Sequence, residues 1–217
     1  MVGPYWDYAG KVKPRLQELG IRYVRDGGNS SSIVNGLNDL NTTLGIKSTL
    51  VMSPVDSVDA NGSVAMIKSV KNSVVAIEGP NEWDLFDFRQ GGYNFPMNLQ
   101  YFQNQLYRAV KSDAETKFVE VLTPSIAMSD NIHKVGDMST VADGGNIHSY
   151  PGGNRPDQDM DSKWLPEARM MMANKPITCT ETGYHTAVNV NDSHKPLSEV
   201  IMSQTPWKLR VTALGIV

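Results

Sequence analysis

The chain has 217 residues, 40% of them hydrophobic, which is enough to bury one sizeable core in a single domain spanning residues 1–217. The formal net charge is −3 and the basic residues are not clustered, which argues against a protein that binds nucleic acid or an anionic membrane. There is one cysteine, Cys179, which excludes a disulfide within the chain, and no run of about twenty apolar residues that could span a membrane.

Apolar residues in the first half of the chain alternate between helical and strand spacing. Helical spacing ends at Gly20 and at Gly45, and it begins again after Ser63, which we expect to cap the third helix. Each predicted helix leads into a short strand that is partly β-branched. The predicted strands cover residues 21–25, 48–52 and 74–77.

The second half repeats this alternation less regularly. Helical spacing covers residues 99–110 and 165–172, and a partial helical pattern over residues 197–215 is interrupted by Pro206. Further strands are predicted over residues 118–122, 146–150 and 177–180. Six predicted strands separated by five helices favour βα units and a parallel sheet.

A parallel sheet of this kind either opens into a doubly wound fold or curls into a barrel. No strand is followed by a GxGxxG or GxxxxGK[ST] loop, which argues against a nucleotide-binding doubly wound sheet. Polar residues instead occur at the ends of many strands, as at the mouth of a barrel. We therefore predict an α/β fold of the (β/α)₈ TIM barrel type.

Two glutamates each lie at the end of a predicted strand, which is apolar before Glu82 and contains threonines before Glu181. Glu82 follows the Gly-Pro break in AIEGPNEWDLF, and Glu181 precedes a glycine in PITCTETGYHT. Taken alone, Glu82 would be interpreted as a carboxylate that complements a helix dipole. The partner at Glu181 favours a catalytic pair, since glycoside hydrolysis requires one protonated carboxyl group and one ionised one.

Four segments carry a resemblance to a known family: LGIRYVRDGG, GPNEWD, NIHSYPGG and TETGYHT. In this order they resemble motifs of the clan A glycoside hydrolases, TIM-barrel enzymes with catalytic glutamates after strands four and seven. The resemblance implies a retaining hydrolase that cleaves β-O-glycosidic bonds in a polysaccharide or oligosaccharide without a cofactor. It also suggests secretion, although the first ten residues show no signal sequence.

The resemblance also assigns roles to individual residues. Glu82 would be the general acid/base and Glu181 the nucleophile, with their carboxyl groups about 5 to 5.5 Å apart. Asn81 would bond to the sugar 2-hydroxyl, Tyr150 would orient Glu181, and Arg25 would keep Glu181 ionised. The sugar subsite would be lined by Trp83, His148 and His185.

Several residues have a second interpretation. Glu78 is a rival acid, although its place within a strand is more typical of a structural charge, and Asp26 could form a local ion pair instead of a site. His148 and Tyr150 alternate on one strand and are equally typical of a hydrogen-bonded core. The histidines have no zinc-binding spacing, so we predict no metal, and Cys179 is predicted to be a buried thiol.

The predicted strand count falls short of a complete barrel, which has eight strands and about 250 residues. The first strand would lie before Met1 and the eighth beyond Val217. We expect a fragment of a longer enzyme, a truncated barrel whose open edges are covered by homo-oligomerisation, or an unusually compact barrel. The incomplete barrel of about six βα units is favoured.

This incompleteness leaves a second function open, namely a carbohydrate-binding barrel that has lost catalysis. A metal- or nucleotide-dependent α/β enzyme is a third alternative, which the missing motifs disfavour.

Overall fold

The computed structural model describes residues 7–56, 58–151 and 157–183, which form an α/β structure of six strands and intervening helices. The strands are Tyr23–Gly27 (β1), Lys47–Val51 (β2), Val74–Glu78 (β3), Glu120–Leu122 (β4), Gly145–Ser149 (β5) and Ile177–Thr182 (β6). The α-helices are Lys13–Glu18 (α1), Ser31–Leu44 (α2), Ala60–Ser69 (α3), Met97–Ser112 (α4), Ser129–Val135 (α5) and Leu165–Met172 (α6). Shorter helical turns cover Tyr8–Val12, Pro54–Asp56, Trp83–Leu85 and Met160–Trp164.

The described strands are parallel to their neighbours and follow the order of the chain. One sheet has the order β1-β2-β3-β4, and β5 pairs with β6 in a second. An isolated parallel bridge between Leu122 and Gly144 joins the end of β4 to the start of β5. The prediction of βα units and parallel strands is confirmed. The described residues contain six strands and do not show a closed barrel of eight.

The strands curl around a common interior. At a spacing of about 4.8 Å between neighbouring strands, β1 and β6 would lie about 24 Å apart in a flat sheet. That distance is beyond the combined reach of two side chains, yet Arg25 on β1 donates a hydrogen bond to Glu181 on β6. The carboxyl ends of the first and last described strands therefore meet across the interior.

Helix α4 was predicted correctly from the spacing of its apolar residues, and its packing shows why. Its apolar residues recur every three or four positions, so they share the face that packs on the sheet. All four are at most 1% exposed and belong to the same buried cluster as Ile77 of β3: Leu99, Phe102, Leu106 and Val110.

The predicted end of helix α2 is confirmed, whereas the predicted cap of helix α3 is not. Helix α2 is capped by Ser30 and ends at Gly45, whose φ of 68° is the left-handed conformation that glycine adopts readily. The expectation that Ser63 caps α3 is wrong. Asp59 is the cap and accepts a hydrogen bond from the amide of Gly62 at 2.6 Å, so that Ser63 lies inside the helix.

Some boundaries also differ from prediction. β1 begins two residues later than expected, and β4 lacks the first two predicted residues, since Phe118 is 83% exposed. Helix α5 was not predicted because its seven residues bury only Ile132 and Val135, too few to establish a helical period. The helical pattern over residues 197–215 lies outside the described residues.

Within the part of the chain that the structure describes, no helix combines the length and apolar character needed to cross a lipid bilayer.

Candidate active site

Most of the predicted site residues converge at the carboxyl ends of the described strands. Arg25 lies on β1, Glu82 follows β3, and Glu181 lies near the end of β6. His148 is on β5, and Tyr150 directly follows that strand. Because parallel strands present the same end to one side of a sheet, residues far apart in the chain meet at a single site.

Arg25 is the centre of this site. Its guanidinium donates hydrogen bonds to the carboxylates of Glu78 and Glu181, and it donates to Oδ1 of Asn81 at 2.7 Å. The side chain is only 9% exposed. Burial lowers the pKa of Arg25, but the charges of Glu78 and Glu181 outweigh this and leave the pKa above its usual value. The guanidinium is therefore a permanent cation between two carboxylates.

Glu181 is surrounded by hydrogen-bond donors. Arg25 donates to Oε1, and the hydroxyl of Tyr150 donates to Oε2 at 2.9 Å. Burial of Tyr150, reinforced by the negative charge of Glu181, raises the pKa of the phenol, so the hydroxyl keeps its proton at neutral pH. Because Arg25 and Tyr150 both donate hydrogen bonds to Glu181, its two oxygens act as acceptors. This environment suits an ionised carboxylate.

Glu82 has a different partner and an unusual backbone. Its Oε1 lies 2.7 Å from Nδ1 of His148. The residue adopts a left-handed conformation, with φ of 49° and ψ of 42°, and its amide donates to Oγ of Ser125 at 3.2 Å. A non-glycine residue in this region costs about 1–3 kcal/mol, and such strain is concentrated at functional sites.

The two carboxyl groups face each other. One oxygen of Glu82 and one of Glu181 lie within 4.8 Å of each other, and Nδ1 of His148 lies 3.6 Å from Oε2 of Glu181. The three side chains have the atom types and spacing that could hold a metal ion. We assign none, because both oxygens of Glu181 are already bonded to Arg25 and Tyr150 and the guanidinium would repel a cation.

An irregularity in β6 explains how Glu181 reaches the site. Successive residues of a strand normally point to opposite faces. The register between β5 and β6 shifts at this position: Ile147 is paired with Cys179, whereas His148 is paired with Glu181. Thr180 is the extra residue of this bulge, and both Thr180 and Glu181 contact interior groups. Bulges of this kind redirect side chains next to active sites.

Three buried polar residues lie behind the carboxyl pair. Glu78 is fully buried and bonds to Arg25, and Asn146 donates to Glu78 Oε2 at 2.8 Å. Thr180 donates to Asn146 Oδ1 at 2.6 Å and lies 3.2 Å from Nε2 of His148. Sequence reasoning treated Glu78 as structural and did not select Asn146 or Thr180.

A signal for Asn146 was present, because it lies two residues before His148 and so shares its face of the strand. Thr180 gave no such signal, since its orientation depends on the bulge.

Trp83, which was predicted to line a sugar subsite, lies in the core instead. Its side chain is buried in the core, with the ring centroid 4.6 Å from that of Phe88 and 5.7 Å from that of Phe102. The residue is 3% exposed, and a ring enclosed in this way has no face on which a sugar could stack. The remaining predicted subsite residue, His185, lies outside the described residues.

Comparisons of the chain with protein-family models, with curated proteins and with solved structures find no match. The resemblance carried by the four sequence segments therefore remains a prediction.

Proposed function

We propose that this protein is a retaining glycoside hydrolase that cleaves β-O-glycosidic bonds in a polysaccharide or oligosaccharide by double displacement. Glu82 is the general acid/base and Glu181 is the nucleophile. The observation that carries the proposal is the pair of neighbouring carboxyl groups, of which one oxygen from each lies within 4.8 Å of the other while their hydrogen-bond partners differ. Inverting enzymes need a longer separation of about 6.5 to 9.5 Å, to admit a water molecule between carboxylate and sugar.

The partners of each carboxyl group suit its proposed role. Arg25 and Tyr150 stabilise negative charge on Glu181, as a nucleophile requires. In the first step Glu181 bonds to the anomeric carbon, the bond to the leaving oxygen breaks, and the proton of Glu82 passes to that oxygen. In the second step water attacks the anomeric carbon, releases Glu181 and returns a proton to Glu82.

Asn81 contributes to substrate binding in this proposal through its amide nitrogen. Its Oδ1 already accepts a hydrogen bond from Arg25 at 2.7 Å, so a bond to a sugar hydroxyl oxygen would come from Nδ2. Arg25 thereby orients both the nucleophile and the amide next to the acid/base.

The proposal includes a fold: the described strands are part of a (β/α)₈ barrel. Strands that follow chain order with right-handed crossovers place every helix on the same face of the sheet, as in a barrel. The contact between Arg25 of β1 and Glu181 of β6 requires the strands to curl towards each other, as they do in a barrel. A doubly wound sheet instead reverses its strand order at the binding site.

The test is hydrolysis of a panel of aryl β-glycosides by the full chain and by Glu82→Gln and Glu181→Gln. We expect both variants to lose at least about 10³-fold in kcat with substrates whose leaving group needs protonation. Glu82→Gln should keep much more of its kcat/KM toward 2,4-dinitrophenyl glycosides, because that leaving group departs without a proton, while the second step stays slow without its base. Glu18→Gln, which changes an exposed glutamate on α1, is the matched control.

A 2-deoxy-2-fluoroglycoside of the sugar that is turned over should label the nucleophile covalently. We expect the added mass on the peptide that contains Glu181 and none with Glu181→Gln. Labelling of a different peptide, or activity that survives both substitutions, would refute the mechanism. Binding of oligosaccharides without any hydrolysis would instead support a carbohydrate-binding barrel.

A further inference from the structure

A continuous chain of hydrogen bonds connects the two carboxyl groups through the interior, and its polarity can be read from chemistry alone. Arg25 is a donor at every nitrogen, so Glu78 accepts from it, and the two side chains form a buried ion pair. A carboxylate has no hydrogen to give, so the amide of Asn146 must direct Nδ2 towards Glu78 Oε2, at 2.8 Å. The amide oxygen of Asn146 then faces the opposite way.

Thr180 is the next link. Asn146 Oδ1 can only accept, so the Thr180 hydroxyl donates its single hydrogen to it, at 2.6 Å. The hydroxyl oxygen therefore has no hydrogen left for His148, whose Nε2 lies 3.2 Å away. The bond between them requires that Nε2 of His148 carries a hydrogen and donates to Thr180.

The last link is the contact between His148 and Glu82. A neutral histidine with a hydrogen on Nε2 has a lone pair on Nδ1, and Nδ1 lies 2.7 Å from Glu82 Oε1. A lone pair and an ionised carboxylate oxygen would repel each other at this distance. A proton must therefore lie in the contact, either on Glu82 or on an imidazolium.

We propose that Glu78, Asn146 and Thr180 form a relay that fixes the hydrogen on Nε2 of His148, and that Glu82 and His148 consequently hold one further proton between them. The three relay residues are positioning residues, because they act on the acid/base through His148. Each is at most 4% exposed, so water does not compete for these bonds. A buried network with every member satisfied selects a single arrangement.

The charged groups around the contact favour one proton shared between Glu82 and His148. Glu181, Arg25 and Tyr150 also face the contact, and two ionised carboxyl groups within 4.8 Å would repel each other. One proton shared by Glu82 and His148 leaves Glu181 as the charged member of the pair. When Glu82 gives its proton to a leaving group, its carboxylate faces the lone pair of Nδ1. Uptake of a proton from the attacking water relieves that repulsion.

The tautomer of His148 can be measured without any substrate, by nitrogen-15 NMR of protein labelled at histidine. The chain has four histidines, and the spectrum of His148→Gln identifies the signals of His148. We expect Nε2 to carry a hydrogen in the wild type, both when the shared proton lies on Glu82 and when it lies on Nδ1. An unprotonated Nε2 with a hydrogen on Nδ1 would overturn the proposal without the need for any further variant.

Two substitutions at Thr180 then test the relay itself. Thr180→Val keeps the shape but removes the acceptor of the Nε2 hydrogen, so we expect part or all of the His148 population to move its hydrogen to Nδ1. Thr180→Ser keeps the hydroxyl and should restore the wild-type spectrum. Thr116→Val removes a buried hydroxyl that bonds to the backbone of Val110 and is the control for a general loss of stability. An unchanged tautomer in Thr180→Val would show that Thr180 does not fix it.

Only the kinetic readout rests on the proposed function. We expect Thr180→Val to lower kcat by about tenfold, with little change in KM and with recovery in Thr180→Ser, because the acid/base loses its correctly protonated form. A wild-type chain that hydrolyses no glycoside would count against the hydrolase, while the NMR result would still decide the relay. Full kcat in Thr180→Val, in an active enzyme, would overturn the relay's role in catalysis.

Discussion

The guanidinium of Arg25 is bonded to the carboxylate of Glu181, which lies 156 residues further along the chain. Arg25 is on the first described strand and Glu181 is on the last, so the bond forms only when the whole set of strands has curled. The nucleophile of the proposed reaction is thus held in place by a cation from the opposite end of the described structure.

Substitution of Arg25 is expected to cost both stability and activity. Arg25→Met leaves the buried carboxylates of Glu78 and Glu181 without their cation, a change that typically costs about 3–5 kcal/mol. We expect a loss of that size in the free energy of unfolding, measured by urea denaturation. Arg22→Met, at an exposed position before β1, should change it by less than about 0.5 kcal/mol. Similar values for the two variants would contradict the central place of Arg25.

Removal of the Tyr150 hydroxyl should affect catalysis more than folding. Tyr150→Phe deletes the bond to Glu181 Oε2 at a residue that is 41% exposed, and we expect kcat/KM to fall by about tenfold or more. Tyr101→Phe, at a similarly exposed tyrosine on α4, should leave activity unchanged.

The pH dependence of stability should also reveal Tyr150. Burial and the charge of Glu181 raise the pKa of its phenol in the folded protein, so above pH of about 10 the unfolded chain releases this proton first. The unfolded state then binds fewer protons, and stability falls as pH rises. Urea unfolding at pH 8 to 11 should show a steeper loss for the wild type than for Tyr150→Phe. Parallel curves would count against a raised pKa.

The left-handed backbone of Glu82 predicts an unusual order of stability among its variants. Glycine adopts φ of 49° without strain, whereas alanine does not, so Glu82→Gly should be more stable than Glu82→Ala by about 1 kcal/mol. At Gln105, an exposed position within α4, the order should reverse because glycine weakens a helix interior by about 1 kcal/mol. If thermal unfolding shows that alanine is more stable than glycine at both positions, the backbone of Glu82 is not strained.

The single thiol offers a chemical test of the end of β6. Sγ of Cys179 donates to the carbonyl oxygen of Glu181 at 3.1 Å, and burial raises the pKa of the thiol. Less of the reactive thiolate is therefore present at pH 8 in the folded protein than in the unfolded chain. We expect modification by a disulfide reagent to be at least about tenfold slower in buffer than in guanidinium chloride. Equal rates would show that Cys179 is exposed.

Local patterns were sufficient to predict most of the elements. The helix α4 has apolar residues at regular helical spacing, and β3 is a short apolar run that ends just before Gly79 and Pro80. The same pattern placed Arg25, Glu82, Glu181, His148 and Tyr150 at strand ends, where the structure brings them together.

Features that depend on contacts between distant segments could not be predicted in this way. Trp83 follows a catalytic candidate in sequence, yet its ring belongs to a cluster with Phe88 and Phe102. Thr180 and Glu181 would alternate in a regular strand, and only the shifted pairing with β5 lets both reach the interior. Helix α5 was too short to have a detectable period.

The described strands form two sheets that are linked by an isolated bridge between Leu122 and Gly144, and the two carboxyl groups belong to different sheets. Glu82 follows β3 in the larger sheet, whereas Glu181 belongs to β6 in the smaller one. The distance between them is therefore a property of how two sheets are set against each other. In the proposed enzyme, the configuration of the sugar product therefore depends on how the backbone joins these two sheets, because that junction sets the separation of the carboxyl groups.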